Sequence, residues 1–283
     1  MKNANRLPRW LKRTLPKGNA NHLTERTVQS LQLQTVCDHA KCPNRMECFA
    51  RRTATFLILG PTCTRNCRFC SVEHGTPPPV DPTEPERIAE AVSRLGLSHV
   101  VLTCVSRDDL SDGGAEQFVR CLDAIRCRCS VSIEVLPSDF AGNFDAVDRL
   151  ADQKPDVYNY NTETVPGLFP EIRGPIPNFE RSLEMFRRIK QRQSTVRLKS
   201  GLMLGLGETD DEVLDVLRQL REAGCDAITL GQYLQPSSDC VPVQRFVPPE
   251  EFGRWKERAN KLGFLSVAAG PFVRSSYRAE AFC

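Results

Sequence analysis

Six of the thirteen cysteines crowd into residues 37–70, and their spacing decides what chemistry they can do. Cys63, Cys67 and Cys70 form a CxxxCxxC triplet in Cys63-Thr64-Arg65-Asn66-Cys67-Arg68-Phe69-Cys70. Three thiolates on so short a loop can wrap one corner of a cubane cluster. A [4Fe–4S] cluster takes four ligands, so three leave one iron open, as a catalytic zinc site leaves a position for substrate. The alternative is a zinc knuckle, but no fourth cysteine or well-spaced histidine stands nearby to complete it. Upstream, Cys37, Cys42 and Cys48 make another triplet, CxxxxCxxxxxC, the first in chain order, so that Cys63, Cys67 and Cys70 are the second; it too lacks a fourth cysteine at comparable spacing. His39, two residues from Cys37, fits an ordinary polar role better than ligation. Two separate triplets argue for two clusters rather than one six-thiolate site.

So many cysteines in a chain without secretory features point to a reducing compartment and to metal or redox chemistry rather than a disulfide framework. The N-terminus is basic but has no apolar h-region behind it. Pro8 and Pro16 fit poorly with an amphipathic transit peptide, and no stretch approaches the ~20 apolar residues of a membrane span. The expectation is a cytoplasmic protein with no membrane segment. With 40% apolar and 26% charged residues, the chain can bury an ordinary core. The net charge of +3 is mild, yet Lys2, Arg6, Arg9, Lys12, Arg13 and Lys17 all precede the first acidic residue, Glu25. Such an arm suits an acidic protein surface, an anionic membrane or nucleic acid, or is simply solvated.

The elements that must position the cysteines follow a regular alternation. Residues 1–50 read as an irregular polar lead without periodicity. Thr55 to Leu59 is a strand closed by Gly60-Pro61, and the second triplet follows it directly. Helices are expected over residues 84–95, 115–126, 143–151, 179–191, 210–223 and 250–262. Strands are expected over residues 99–103, 131–136, 156–160, 196–204 and 227–230, with a last apolar run ending at Ala269. Gly224 reads as a C-terminal helix cap. Six strand–helix units from residue 54 onward imply an α/β fold with parallel strands and right-handed crossovers. A doubly wound sheet and a partial barrel both satisfy this pattern. In either, ligands sit at the carboxyl ends of the strands, where the second triplet falls.

The two triplets, in company with other stretches, resemble the lipoyl synthases of the radical S-adenosylmethionine superfamily. The resemblance is carried by Thr35-Val36-Cys37, Cys42-Pro43-Asn44, Thr53-Ala54-Thr55-Phe56, Arg107-Asp108-Asp109-Leu110 and Asp112-Gly113-Gly114. Farther on it includes Ser200-Gly201-Leu202-Met203, Gly205-Leu206-Gly207-Glu208-Thr209, residues 231–236 and the terminal Arg274-Ser275-Ser276-Tyr277. It implies a partial (βα)6 TIM-like barrel over residues 53–270. A cysteine-bearing extension would precede it (residues 1–52), and a tail would return to the barrel mouth (residues 271–283).

The resemblance also implies roles. Cys63, Cys67 and Cys70 would hold the [4Fe–4S] cluster whose open iron binds S-adenosylmethionine. Cys37, Cys42 and Cys48 would hold an auxiliary [4Fe–4S] cluster with Ser276 as its fourth ligand, and Arg274 would guard or position that corner. Gly113 and Gly114 would let backbone approach the methionyl part of the cofactor. Asn159, Asn161 and Glu163 are candidates to face its ribose or the substrate. The implied reaction inserts two sulfurs, at C6 and C8, into an octanoyl chain on a lysine of a lipoyl domain. That domain would belong to a 2-oxoacid dehydrogenase E2 subunit or to the glycine cleavage H protein, with flavodoxin or ferredoxin as electron donor and neither nucleic acid nor membrane as partner. The chain departs from the family pattern at Tyr160, where histidine is common, and at Ser106, where aspartate is usual. Cys104, Cys121, Cys127, Cys129, Cys225, Cys240 and Cys283 match no ligand position and read as small buried hydrophobes. Met203 and Phe56 read as core.

Overall fold

The computed structural model describes residues 7–12 and 21–282. Lys2, Arg6, Arg13, Lys17 and Cys283 lie outside the described residues; of the basic arm, Arg9 and Lys12 are described and exposed.

The lead segment is not irregular. It folds into α1 (His22–Ser30), β1 (Gln34–Thr35), α2 (Val36–His39) and α3 (Arg45–Ala50). Its helices run nine, four and six residues, too short to be stable alone or to display a period. Tertiary ties make them instead. Thr24 Oγ1 donates to the Phe49 carbonyl at 2.8 Å, and Thr35 caps α2 by accepting from Asp38 N. Cys37, Phe49 and Ala54 share a small core.

From Thr55 the chain alternates as its sequence implies. β2 (Thr55–Ile58) enters a loop holding two short parallel strands, β3 (Thr62–Cys63) and β4 (Glu73–His74). There follow α4 (Glu84–Leu95), β5 (His99–Cys104), α5 (Ala115–Arg128), β6 (Ser132–Leu136), α6 (Phe144–Asp152) and β7 (Val157–Asn159). The second half comprises α7 (Phe169–Ile172), α8 (Phe179–Arg192), β8 (Arg197–Leu204), α9 (Asp210–Glu222), β9 (Ala227–Gln232), α10 (Pro249–Lys261) and β10 (Ser266–Gly270). β2 and β9 are buried along their whole length, as strands covered on both faces must be. A Thr209–Glu212 capping box opens α9, and Gly224, with φ +95°, turns the chain away after it.

The large sheet has the order β1-β2-β5-β6-β7-β8-β9-β10. β1 is antiparallel to β2, and every later pair is parallel. A doubly wound sheet reverses its order at a switch point; this one never does. Right-handed crossovers in one direction put all the helices on one face, and the sheet curls into a partial barrel of six strand–helix units ending on β10. The edge strands β1 and β10 leave a seam, which the tail follows: Asn44 Nδ2 donates to the Phe272 carbonyl at 2.7 Å and Tyr277 Oη to Glu47 Oε1 at 2.7 Å.

Candidate active site

At the carboxyl ends of the strands lies a cavity of about 500 Å³, and all six triplet cysteines line it. Ser276 and Arg274 of the tail line it as well. All twelve described cysteines are free thiols.

The first triplet is held by short helices. Cys37 sits in α2, Cys48 in α3, and Cys42 N donates to the Cys37 carbonyl at 3.1 Å between them. Burial pushes the Cys37 thiol up to about 11 and the Cys48 thiol up to about 12. Such groups stay protonated at neutral pH until a metal cation supplies the charge that water no longer does. His39 does not join them. Its Nε2 meets Gln34 Oε1 at 2.8 Å, an ordinary polar contact.

The second triplet rides the loop after β2. Backbone N–H groups point at its sulfurs: Ser106 N to Cys63 Sγ at 3.3 Å, Arg65 N to Cys63 Sγ and Val72 N to Cys70 Sγ, both at 3.4 Å. Hydrogen bonds to sulfur stabilise cluster thiolates and tune their potential. Ser106 thus serves through its main chain, so its departure from aspartate leaves this contact intact. Burial pushes Cys70 up to about 12 and raises Cys67, the latter against the pull of Arg173. Arg65, inside the triplet, is buried and forks onto Asp108 at 2.7 Å twice and reaches Asp139 at 2.6 Å. Arg181 takes the other Asp139 oxygen at 2.8 Å. Burial alone would raise the Asp139 carboxyl; Arg65 and Arg181 overrule it and hold it below its usual value. This ladder fastens the cysteine loop to the ends of β5 and β6. Sequence reasoning missed Arg65 as a fastener, although its place between two cluster cysteines is a signal.

The third wall follows β7. Asn161 and Glu163 line the cavity. Glu163 has φ +70°, a left-handed conformation costly for this residue, held by a bond from its N to the Gly201 carbonyl at 2.9 Å. Burial raises its carboxyl, opposed by Arg173. Arg173 also lines the cavity and donates to Tyr160 Oη at 3.2 Å and to the Asn161 carbonyl at 3.2 Å. So Tyr160, in place of histidine, has a defined partner. Arg173 was not foreseen; only its position before the breaker Gly174-Pro175 hinted at it.

Three of the expected residues do not reach the cavity. Asn159 is absent from the cavity wall: it is fully buried one layer deeper and donates to Glu134 Oε1 at 2.9 Å. Gly113 and Gly114 do not line the cavity either. A Cβ at Gly113 would stand 2.9 Å from the Phe140 ring, and one at Gly114 2.3 Å from a Leu59 methyl, so core packing accounts for both. Met203 and Cys104 pack against buried core as expected and also line the cavity, while Phe56 is core throughout. Among the other cysteines, Cys121, Cys225 and Cys240 are buried, Cys129 is half-buried and Cys127 is exposed.

The donor set fits iron–sulfur clusters. Soft, desolvated thiols in two groups of three meet the cluster's demand, and the N–H to sulfur bonds suit its charge. Among the described residues no three His, Cys, Asp or Glu side chains converge on one point as single-ion ligands do; a cubane instead offers each thiolate its own iron corner.

The family profile for the radical SAM superfamily matches residues 57–220, and that for the N-terminal domain of lipoyl synthase matches residues 1–42. The lipoyl synthase of Rhodopirellula baltica is 54% identical over 276 residues, covering 97% of this chain and 87% of that protein. That of Caldanaerobacter subterraneus is 49% identical, covering 97% and 96%. The mitochondrial lipoyl synthase of Candida albicans is 49% identical, covering 98% and 74%. Among solved structures, methylornithine synthase superposes with a TM-score of 0.56 at 14% identity, covering 89% of this chain and 78% of that one. The FeFe-hydrogenase maturase of Carboxydothermus hydrogenoformans gives 0.54 at 14%, covering 90% and 72%; these two speak for the fold alone. The chain belongs to the lipoyl synthases of the radical S-adenosylmethionine superfamily, enzymes that work with S-adenosylmethionine and two [4Fe–4S] clusters.

Proposed function

We propose that Cys63, Cys67 and Cys70 hold the cluster that meets S-adenosylmethionine, and that Cys37, Cys42, Cys48 and Ser276 hold the auxiliary cluster. The observation that carries this assignment is that both triplets and the tail serine face one cavity. When bound, the cluster on Cys63, Cys67 and Cys70 would supply the electron for cleaving S-adenosylmethionine, and the auxiliary cluster would supply the sulfur. The chain's own work is to bind, orient and exclude water. Asn161, Glu163 and Arg173 offer polar groups for the cofactor's amino-acid and ribose parts. Arg274, largely desolvated and anchored by its Nη1 to the Val273 carbonyl at 2.7 Å, positions the corner that Ser276 occupies. Leu136, Leu202 and Met203 give the cavity apolar wall against which an octanoyl chain can lie.

On this reading the substrate is an octanoyl-lysine of a lipoyl domain, and two sulfurs enter at C6 and C8. The acceptor is an E2 subunit of a 2-oxoacid dehydrogenase or the glycine cleavage H protein. Flavodoxin or ferredoxin delivers the electrons, and the site of work is the cytoplasm, where cluster thiols stay reduced. Residues 1–52 act as the auxiliary-cluster extension, 53–270 as the radical barrel and 271–283 as the ligand-bearing tail. No helix among the described residues is long and apolar enough to cross a membrane. Cluster content tests the assignment. Replacing either cysteine triplet by alanine should remove about half of the iron, with the two halves spectroscopically distinct; loss of all iron from either variant would contradict two independent sites.

A further inference from the structure

The barrel interior carries a polar layer that sulfur insertion does not use. Below the cavity, Lys199 of β8 is fully buried and donates to both oxygens of Glu134 on β6, at 3.0 and 2.9 Å. An ammonium has three donors, and Glu134 takes two. On the remaining side lies the ring of Phe282, its centroid 4.2 Å from Lys199 Nζ. Phe282 belongs to the tail and is itself only 5% exposed. Its carbonyl accepts from Arg197 Nη1 at 2.8 Å. Arg197 begins its strand, so the tail here touches the floor of the barrel, the end opposite the cavity.

Six residues earlier the same tail carries Ser276 at the cavity. Between the two, Glu280 pairs with Arg51 at 3.0 Å, both partners more than two-fifths exposed, and such a pair is worth little in water. The contact beneath Lys199 is dry, and a desolvated cation–π contact is the stronger tie.

We propose that Phe282 is a positioning residue: seated under Lys199, it holds the tail in the barrel's seam and so fixes Ser276 and Arg274 at the cavity. This rests on the reading of Ser276 as a ligand of the auxiliary cluster. The buried Lys199–Glu134 pair is then the seat of the anchor. The Cys63 triplet belongs to the loop after β2 and not to the tail, so loss of the anchor leaves it in place.

The test compares Phe282→Ala with Phe282→Trp, and runs Ser276→Ala beside them, all in the cluster-loaded protein under anaerobic conditions. Amide exchange over residues 271–282 reads the anchor directly. It should quicken about tenfold or more in Phe282→Ala and stay near the parent's rate in Phe282→Trp. Deoxyadenosine formation should persist in Phe282→Ala while sulfur transferred per deoxyadenosine falls. Unchanged exchange in Phe282→Ala overturns the anchor. Quickened exchange with undiminished sulfur transfer overturns the positioning role. The ligand reading itself fails only if Ser276→Ala also transfers sulfur in full.

Discussion

Asn161 Nδ2 donates to Ser275 Oγ at 3.1 Å, joining the end of a central barrel strand to a tail residue 114 positions away. The bond links one wall of the cavity to the segment that carries Ser276, the proposed ligand of the auxiliary cluster. The two halves of the reaction therefore share a joint.

Breaking that joint should uncouple them. Asn161→Ala removes a bond worth about 1 kcal/mol, which corresponds to roughly a fivefold change in the population of the docked tail. Deoxyadenosine formation should fall with the lost cofactor contact, and sulfur inserted per deoxyadenosine should fall several-fold further, read by mass spectrometry of both products. A proportional fall in both would place Asn161 wholly in cofactor binding.

Arg65 should matter more to the loop than to the fold. Arg65→Met leaves Asp139 buried with one cation instead of two, and breaking a buried pair costs about 3–5 kcal/mol. Cleavage of S-adenosylmethionine should fall steeply, while the auxiliary cluster still assembles. Arg65→Lys keeps the charge but loses the fork, so it should recover only part of the activity. Iron content and deoxyadenosine yield check both.

A hard serine oxygen is a poor partner for cluster iron, which favours thiolate. If that weak corner helps the auxiliary cluster release sulfide, Ser276→Cys should still assemble both clusters yet impair turnover. Undiminished lipoyl formation by this variant would remove the argument.

His99, at the floor of the barrel, makes a pH prediction. Burial lowers its pKa below 6.5, opposed by Glu134, aided by Lys199, with Glu280 and Asp156 adding weaker upward pulls. The unfolded chain therefore binds this proton before the folded one does. Stability should fall as pH drops below the ordinary histidine value and level off once the folded group also titrates. Urea midpoints measured from about pH 7 to 5 should show the slope in the parent and less of it in His99→Gln; equal slopes would exclude His99 as the cause.

The alternation of strands and helices was legible because burial on both faces writes continuous apolar runs such as Thr55 to Leu59, and because Gly224 punctuates a helix locally. Periodicity left two folds open; strand order, a long-range property, chose between them. The helices of the lead segment were not legible, since Cys37 and Phe49 stabilise them through tertiary packing rather than pattern. Asn159 and Asn161 show a second limit. Where a strand ends is not visible in sequence: Asn159 closes β7 and sits buried beside Glu134, while Asn161, two residues beyond the strand, reaches the cavity. Gly113 and Gly114 read as openings for a ligand and are instead clearances for Leu59 and Phe140.

The most direct test supplies the reconstituted protein, without oxygen, with reductant, S-adenosylmethionine and an octanoyl-lysyl peptide, and weighs the products. The account predicts gain of two sulfurs by the peptide with about two deoxyadenosines released. Deoxyadenosine without sulfur in the peptide, from protein holding both clusters, would contradict it.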